Sequence, residues 1–353
     1  ERNNLLCGLV RCTQNMRRFE NSLHLIQGMH VEDGMSAQLR PYAVEAAWQL
    51  GSWDRLSQAL ETPSGPSEGA DFQFQLGSAL LALHHQDKER LGSVLQEATL
   101  QTTRAVASAA RESYTRAYQH LLRLHLLSDI SWLSECPRGG VGGAAQAAAN
   151  RQSPAPGRPG QLATILLARS EVTAATFSAR QLLLSPLRVA LEDMQLKDDA
   201  KLMELAFVRL CRKNNEPVAL EHPNSSFHGV SGQLMARAQL EWGRLLYARG
   251  SRHDALQHLQ QLAPKVPKAR LLGTRWATEA ASELLIPRVA EADFKDAKDR
   301  LQDYEAAWFY HASYLDQLLK GQIAEEQSKV SGAGAHSSLA APVPPAKGVG
   351  PAA

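Results

Sequence analysis

The stretch Tyr42–Leu56 reads YAVEAAWQLGSWDRL and contains two helical patterns separated by a short break. Val44, Ala47, Trp48 and Gly51 recur at the i, i+3, i+4, i+7 spacing that places side chains on one face of an α-helix. The Gly-Ser dipeptide that begins at Gly51 interrupts this pattern, and a further helical pattern follows it. The stretch therefore predicts a helix, a tight turn and a second helix.

The same helical spacing continues along the chain, and strand patterns are nearly absent. Tyr114–Leu127 is apolar on two opposite faces, so a helix there must be covered on both sides. The stripe on its first face consists of Tyr114, Ala117, Tyr118, Leu121, Leu122 and His125. We find no alternating run of β-branched and aromatic residues of roughly 4–8 positions, which a strand would require. The patterns predict an all-α protein.

Polar or glycine breaks recur between the helical patterns at nearly regular intervals. They lie near Arg18, at Gly51-Ser52, at Gln86-Asp87, at Asn214-Asn215 and at Gly250-Ser251. Within each half of the chain they are roughly 34 to 36 residues apart, which is about the period of tetratricopeptide-type repeats. This spacing predicts a tetratricopeptide/HEAT-like helical-repeat solenoid of antiparallel helix pairs. Ordinary antiparallel helix pairs without a true repeat are the alternative.

Two segments of low complexity divide the chain. Residues 136–160 are rich in Gly, Pro and Ala, so this insert is predicted to be disordered because it cannot offset its ordering entropy. Residues 324–353 have a similar character and are predicted to form a disordered tail. The N-terminal helical repeats then occupy residues 1–135 and the C-terminal repeats residues 161–323. Within the second set, Pro186 is expected to kink or restart a helix.

Composition excludes several classes of protein. The 353 residues contain 38 Lys+Arg and 36 Asp+Glu, and the formal net charge is +2. With charges of both signs nearly balanced, the protein lacks the strong positive electrostatic field that would attract nucleic acid or anionic lipid. The four cysteines are scattered, which favours a reducing intracellular compartment over a disulfide framework. No apolar run approaches the ~18 residues of a membrane-spanning helix.

Patterns for nucleotide or metal binding are weak. Gly140, Gly142 and Ala145 fit a loose G-x-G-x-x-A, but no strand precedes them, and a low-complexity linker is the better interpretation. His253 and His258 are five positions apart, a spacing that does not place two imidazoles on one helix face. We predict no catalytic, cofactor-binding or metal-binding residue in this chain.

Adjacent carboxylates occur at Glu192-Asp193 and Asp198-Asp199, near predicted helix ends. We expect them to be solvated or to cap helices. Helical stacks bind other proteins through their long faces, so the expected function is binding rather than catalysis. The side chains expected to form the structural core are Trp48, Trp53, Tyr114, Tyr118, Leu122, Trp242, Tyr310 and Tyr314.

Four segments resemble, in the same order, the FAT domain of the phosphatidylinositol 3-kinase-related kinases, most closely the ATR branch. They are Tyr42–Leu56, Glu112–Leu127, Glu241–Gln260 and the WFYHASYLDQLL helix at Trp308–Leu319. The first contains the Glu-Ala-Ala-Trp pattern and a later Trp-Asp, the second contains Tyr-x-Arg-x-Tyr, and the last has the spacing Phe-Tyr-x-x-x-Tyr-x-Asp-x-Leu. The resemblance therefore covers most of the chain.

The resemblance implies that the parent protein is a nuclear serine/threonine kinase of the DNA-damage and replication-stress checkpoint. It implies phosphorylation of Ser or Thr followed by Gln, and the ATR-interacting protein as a partner on single-stranded DNA coated by replication protein A. ATP and magnesium would bind elsewhere in that parent. This segment would be a non-catalytic scaffold that clamps and regulates the parent's kinase domain. A free-standing tetratricopeptide-like adaptor and an unrecognised helical enzyme are the alternatives.

Overall fold

The computed structural model describes residues 2–28, 33–61, 71–136, 138, 161–215, 227, 229–279 and 287–335. Across these ranges the chain forms helices and no strand, which confirms the predicted all-α class. The first helices are α1 (Arg2–Asn15), α2 (Phe19–Gln27), α3 (Asp33–Gln49), α4 (Trp53–Glu61), α5 (Asp71–His84), α6 (Lys88–Glu112) and α7 (Tyr114–Ser134). The later helices are α8 (Gln161–Glu171), α9 (Phe177–Asp193), α10 (Lys197–Lys213), α11 (Gly232–Ala248), α12 (Arg252–Leu262), α13 (Pro267–Glu279), α14 (Pro287–Arg300) and α15 (Glu305–Ala335).

The helices form two compact units, Glu1–Arg249 and Gly250–Ala353. In the first unit each helix packs against the next along the chain from α1 to α7, and again from α8 to α11. In the second unit α12, α13, α14 and α15 pack in the same successive way. Such nearest-neighbour packing is typical of stacked antiparallel helix pairs.

Helix α9 lies at the centre of the first unit. Almost every side chain from Leu183 to Leu191 is buried, and only Arg188 in this span is partly exposed. The helices that contact it are α3, α5, α7, α8 and α10. A helix that is apolar on every side is stable only when other elements cover every side. The leucines of α9 therefore hold the layers of this unit together.

The predicted restart at Pro186 is wrong, because α9 continues from Phe177 to Asp193 with Pro186 inside it, whereas the predicted kink stays a prediction. A proline inside a helix costs about 3 kcal/mol. Burial of a single leucine side chain contributes about 1.5–3 kcal/mol, and Leu183, Leu184 and Leu187 around the proline are all buried. The packing energy of this central helix therefore exceeds the local penalty.

The turns between helix pairs share one backbone conformation. A residue with positive φ ends the helix before each predicted break, and these residues are Arg17, Gly51, Gln86, Asn215 and Gly250. At Gly51 the N–H of Ser52 donates to the carbonyl of Ala47, and the N–H of Gly51 donates to the carbonyl of Trp48. This pair of bonds is the Schellman motif, which satisfies carbonyls that the helix end leaves free. The recurring breaks in the sequence are therefore helix C-termini.

The predicted boundary of the disordered tail is wrong for residues 324–335, because α15 continues to Ala335. Ala324, Glu325, Glu326 and Gln327 are good helix formers, and they extend the helix despite the composition that follows. Residues 336–353 lie outside the described residues. The predicted insert at 136–160 also lies outside them, except for Cys136 and Arg138.

The turn at Gly51 yields a stability prediction. Gly51→Ala should lower the free energy of unfolding by about 1–2 kcal/mol, because an L side chain is strained at the φ of +65° found there. The added Cβ would meet no atom within 4 Å, so the change reports backbone strain alone. Denaturant titration of the purified chain measures this change in the free energy of unfolding.

The matched control is Gly92→Ala in the exposed interior of α6, where the added Cβ also meets no atom within 4 Å and φ is not positive. This change should raise the free energy of unfolding by roughly 0.5–1 kcal/mol, since alanine favours a helix. Equal effects of the two substitutions would contradict the role given to the Gly51 turn.

Candidate functional site: buried carboxylates at the helix junctions

The predicted core residues lie at different depths. Those that are buried are Trp48, Leu122 and Tyr314. Those that are half-buried and packed against a core cluster are Trp53, Tyr118, Trp242 and Tyr310. All of these except Tyr310 and Tyr314 belong to the first unit.

The prediction that Tyr114 is a core residue is wrong, because 73% of its surface is exposed. Tyr114 is the first residue of α7, at the turn from α6, so it lies beyond the part of the helix that other elements cover. One turn later, the half-buried Tyr118 is anchored, since its hydroxyl accepts a hydrogen bond of 2.6 Å from the backbone N–H of Ala174. Leu121, in the middle of the predicted stripe, is also exposed, whereas Ala117 and Leu122 are buried.

Asp193, at the last turn of α9, joins three helices. Its Oδ1 lies 2.5 Å from Nδ1 of His84 at the end of α5, and its Oδ2 lies 3.4 Å from Nη1 of Arg138. The His84 ring stacks on Trp53 of α4, with ring centroids 4.5 Å apart and an angle of 13° between the planes. Arg138 also donates to the carbonyl of Leu83. One carboxylate thus connects the ends of α5 and α9 and, through His84, the start of α4.

Asp129 joins α7 to α8, the helices on either side of residues 136–160. Its side chain is buried, and Nε of Arg169 donates to its Oδ1 at 2.6 Å. Nε2 of His125, one turn earlier on α7, lies 3.5 Å from the other oxygen. Burial raises the pKa of Asp129, although the nearby His125 and Arg169 oppose that rise.

Asp198 and Asp199, in the first turn of α10, cap two other helices. Oδ1 of Asp199 accepts a hydrogen bond of 2.7 Å from the backbone N–H of Ala163, in the first turn of α8. Oδ1 of Asp198 accepts from the backbone N–H of Ser231, which precedes α11, at 3.2 Å. Negative charge is stabilising at a helix N-terminus, where backbone N–H groups lack helical partners.

Glu241 on α11 is the most enclosed of these carboxylates, with 0% of its side chain exposed. Three arginines surround it. Nε of Arg209 lies 3.1 Å from Oε1, Nε of Arg212 lies 3.3 Å from Oε2, and Nη1 of Arg244 lies 2.5 Å from Oε1. Arg209 and Arg212 are on α10, so this cluster fixes how α10 and α11 are aligned.

The expectation that these carboxylates are solvated or cap helices is wrong only for Asp193, because Glu192 is 58% exposed and Asp198 and Asp199 cap helices. Asp193 and Asp199 are both buried, whereas the alternative role, helix capping, is what Asp198 and Asp199 perform for other helices. Asp129 and Glu241 were not singled out from the sequence, because Arg169, Arg209 and Arg212 reach them from other helices. The only local signal was the i, i+4 spacing of His125 and Asp129 and the i, i+3 spacing of Glu241 and Arg244.

The surface of the first unit also carries a groove. A groove of about 740 Å³ lies along α6 and α7 and reaches the start of α5. It is lined mainly by polar side chains, with Phe72 at one end, where the Arg123 guanidinium lies 4.8 Å from the ring centroid. Burial lowers the pKa of His120 in this groove, and the adjacent charge of Arg123 lowers it further.

Within the described ranges, no group of three or more His, Cys, Asp or Glu side chains is arranged to hold a metal ion. None of the helices in those ranges combines the length and the apolarity needed to cross a bilayer. The buried carboxylates described above all have cationic or amide partners, so the arrangement holds helices rather than a reacting group.

Comparison with known proteins identifies the family. Residues 40–274, more than half of the chain, match the family model described as the FAT domain. The serine/threonine-protein kinase ATR of Arabidopsis thaliana is 27% identical over 136 residues, which is 35% of this chain and 5% of that relative. The serine/threonine-protein kinase TOR of Oryza sativa subsp. japonica is 25% identical over 143 residues, again 35% of this chain and 6% of the relative. The chain thus matches only a small part of the length of these relatives.

The arginine cluster yields a second stability prediction. Glu241→Gln should lower the free energy of unfolding by about 3–5 kcal/mol, because it leaves three arginines without their shared counter-charge at a fully buried site. The control is Asp316→Asn, which removes the partner of Lys320 where the carboxylate is 56% exposed. That change should cost less than about 1 kcal/mol.

Denaturant titration of both variants measures the two losses in the free energy of unfolding and tests this prediction. A loss for Glu241→Gln as small as that for Asp316→Asn would show that the arginine cluster does not hold α10 to α11.

Proposed function

The chain belongs to the FAT-domain family of the phosphatidylinositol 3-kinase-related kinases, and from this membership we propose that it is the non-catalytic helical scaffold of an ATR-like serine/threonine protein kinase. In this proposal the segment clamps and regulates the kinase domain of the same parent protein. The parent acts in the nucleus, in the DNA-damage and replication-stress checkpoint. ATP and magnesium bind to that kinase domain, and the ATR-interacting protein is a partner of the parent.

The observation that carries the proposal is the FAT-domain match over residues 40–274. The matched relatives include serine/threonine kinases named ATR and others named TOR. Both groups support attachment to a kinase. The four segments that resemble the ATR branch support the choice of ATR over TOR.

The buried carboxylates support a mechanical role. Glu241, Asp199 and Asp129 bind groups on neighbouring helices, so α7, α8, α10 and α11 cannot slide past one another without breaking buried ion pairs or hydrogen bonds. A close-packed interior transmits displacement rather than absorbing it. A partner that binds one part of such a unit can therefore bias a domain attached to another part, provided that two arrangements exist.

A free-standing adaptor is the second candidate function, and the groove along α6 and α7 favours it. A groove of about 740 Å³ with an open polar lining could receive a peptide of another protein. In that case no kinase domain would be attached. The two functions differ in whether the full-length protein has kinase activity.

The test uses the full-length protein, expressed from its complete transcript and purified from nuclear extract. We expect it to phosphorylate a peptide with Ser followed by Gln, and not the same peptide with that Gln replaced by Ala. Glu241→Gln should reduce this kinase activity by about 5- to 150-fold, the usual range of coupling between sites. Asp316→Asn is the control and should leave the activity unchanged.

A transcript that encodes no kinase domain would support the adaptor. Equal phosphorylation of both peptides would contradict the assignment to ATR. Full activity of the Glu241→Gln protein would contradict regulation through this scaffold.

A further inference from the structure

The groove along α6 and α7 contains a positive charge that has no counter-charge. Its described lining holds two arginines, Arg116 and Arg123, and one carboxylate, Glu112. Arg116 and Glu112 form an ion pair across the turn between the two helices, so their charges compensate each other. Within the described residues Arg123 forms neither an ion pair nor a hydrogen bond. The described lining therefore has an uncompensated positive charge at Arg123.

The ring of Phe72 holds the guanidinium of Arg123 in place. The guanidinium carbon lies over this ring, 4.8 Å from its centroid, and Phe72 itself is buried. A planar guanidinium held in this way is preorganised, so less conformational freedom is lost when its N–H groups bind an acceptor. Arg123 is half-buried, and none of its nitrogen atoms is enclosed without a partner, so these N–H groups are open to the groove.

Partial burial makes the missing counter-charge significant. Burial lowers the pKa of Arg123, because the charged form loses hydration and no carboxylate of the described residues compensates for that loss. A charge that is partly withdrawn from water gains more from an acceptor than a fully exposed charge does. The neighbouring imidazole of His120 adds no second charge at neutral pH, since burial and the charge of Arg123 lower its pKa.

The geometry and charge of Arg123 select a carboxylate as its partner. A guanidinium presents two parallel N–H groups that match the two oxygens of one carboxylate. Phosphate groups carry nearly two negative charges and are usually bound by clusters of arginines or by helix N-termini. A single carboxylate balances the uncompensated charge of Arg123. The groove is thus complementary to an aspartate or glutamate side chain.

The length of the groove favours a peptide over a free acid. Its lining extends over residues 101–112 of α6 and residues 115–123 of α7. At ~1.5 Å per helical residue these spans are roughly 12 to 16 Å long. An extended peptide of about four or five residues has the same length. The side chains of Ser108, Thr115 and Gln119 are exposed in the groove and can form hydrogen bonds with the backbone of such a peptide.

We propose that this groove binds an extended segment of a partner protein through an aspartate or glutamate side chain, whose carboxylate accepts two hydrogen bonds from the guanidinium of Arg123. The proposal goes beyond the scaffold and adaptor functions and holds for either, because it depends only on α5, α6 and α7. For the adaptor it specifies the chemistry of the bound peptide.

The test measures the binding of short peptides to the 353-residue chain labelled with ¹⁵N. The probe is the blocked peptide Ala-Ser-Glu-Ser-Ala, and the reference peptide has Gln in place of its Glu. Arg123→Gln identifies the Nε–H signal of Arg123. The Glu peptide should shift this signal saturably and bind roughly 10- to 100-fold more tightly than the Gln peptide, which is the value of hydrogen bonds to a charged group.

Two arginine variants make the test specific, and backbone N–H signals of the groove residues report their affinities. Arg123→Lys keeps the charge but loses the paired N–H groups, so it should weaken binding of the Glu peptide by roughly 3- to 10-fold. The matched control is Arg116→Gln in the same groove, because Arg116 already has a partner and is 72% exposed. This control should change the affinity by less than about 3-fold.

The folding of each variant is checked by the indole N–H signals of the six tryptophans, which should keep their positions. The comparison of the Glu and Gln peptides uses the unaltered chain, so it does not depend on the stability of any variant.

Asp71 provides a further control, since it precedes Phe72 in the sequence and its side chain lies outside the described residues. Asp71→Asn should change the affinity for the Glu peptide by less than about 3-fold. A gain of roughly 10-fold or more would show that a carboxylate of the chain itself occupies Arg123, and would overturn the proposal.

Other outcomes also overturn the proposal. One is the absence of a saturable Arg123 shift with the Glu peptide, and another is equal affinity for the Glu and Gln peptides. Acetate that binds as tightly as the Glu peptide would indicate a free acid rather than a partner protein. A peptide with phosphoserine in place of Glu that binds about 10-fold more tightly would indicate a phosphate site.

Discussion

Burial of the central part of α9 is the constraint on which the first unit depends. Its residues from Leu183 to Leu191 are almost all removed from water, which requires helices from both halves of that unit to surround it. Because α3, α5 and α7 precede the insert while α8 and α10 follow it, this single helix unites segments that are far apart in sequence. The same constraint keeps Pro186 helical, since a break there would uncover the leucines beside it.

Hydrophobic contacts of this kind are not directional, so they do not decide how one helix is aligned against another. Hydrogen bonds and ion pairs are directional. Asp199 accepts from the first turn of α8, Asp129 binds Arg169, and Glu241 holds two arginines of α10. A buried carboxylate is costly unless it is paired, so any alignment that separates these partners is strongly disfavoured. The carboxylates select one alignment among those that the leucines allow.

The pairing of buried polar groups matters at the junctions between helices. Where a buried polar group is paired within the chain, as at Glu241, the result is a fixed junction between helices. The FAT-domain match and the relatives named as kinases agree with a helical segment that works as part of a larger protein.

The sequence by itself determined the all-α class, the positions of five turns and the family. Helical spacing in Tyr42–Leu56, the breaks such as Gly51-Ser52 and the resemblance to the FAT domain all depend on residues that lie close together along the chain. Only the tertiary structure decided that Tyr114 is exposed and that Asp193 is buried. Each of these depends on partners that are distant in sequence and that no local pattern specifies. How deeply a side chain is buried and which group it pairs with depend on how the helices pack. Whether a segment forms a helix depends on its own local sequence.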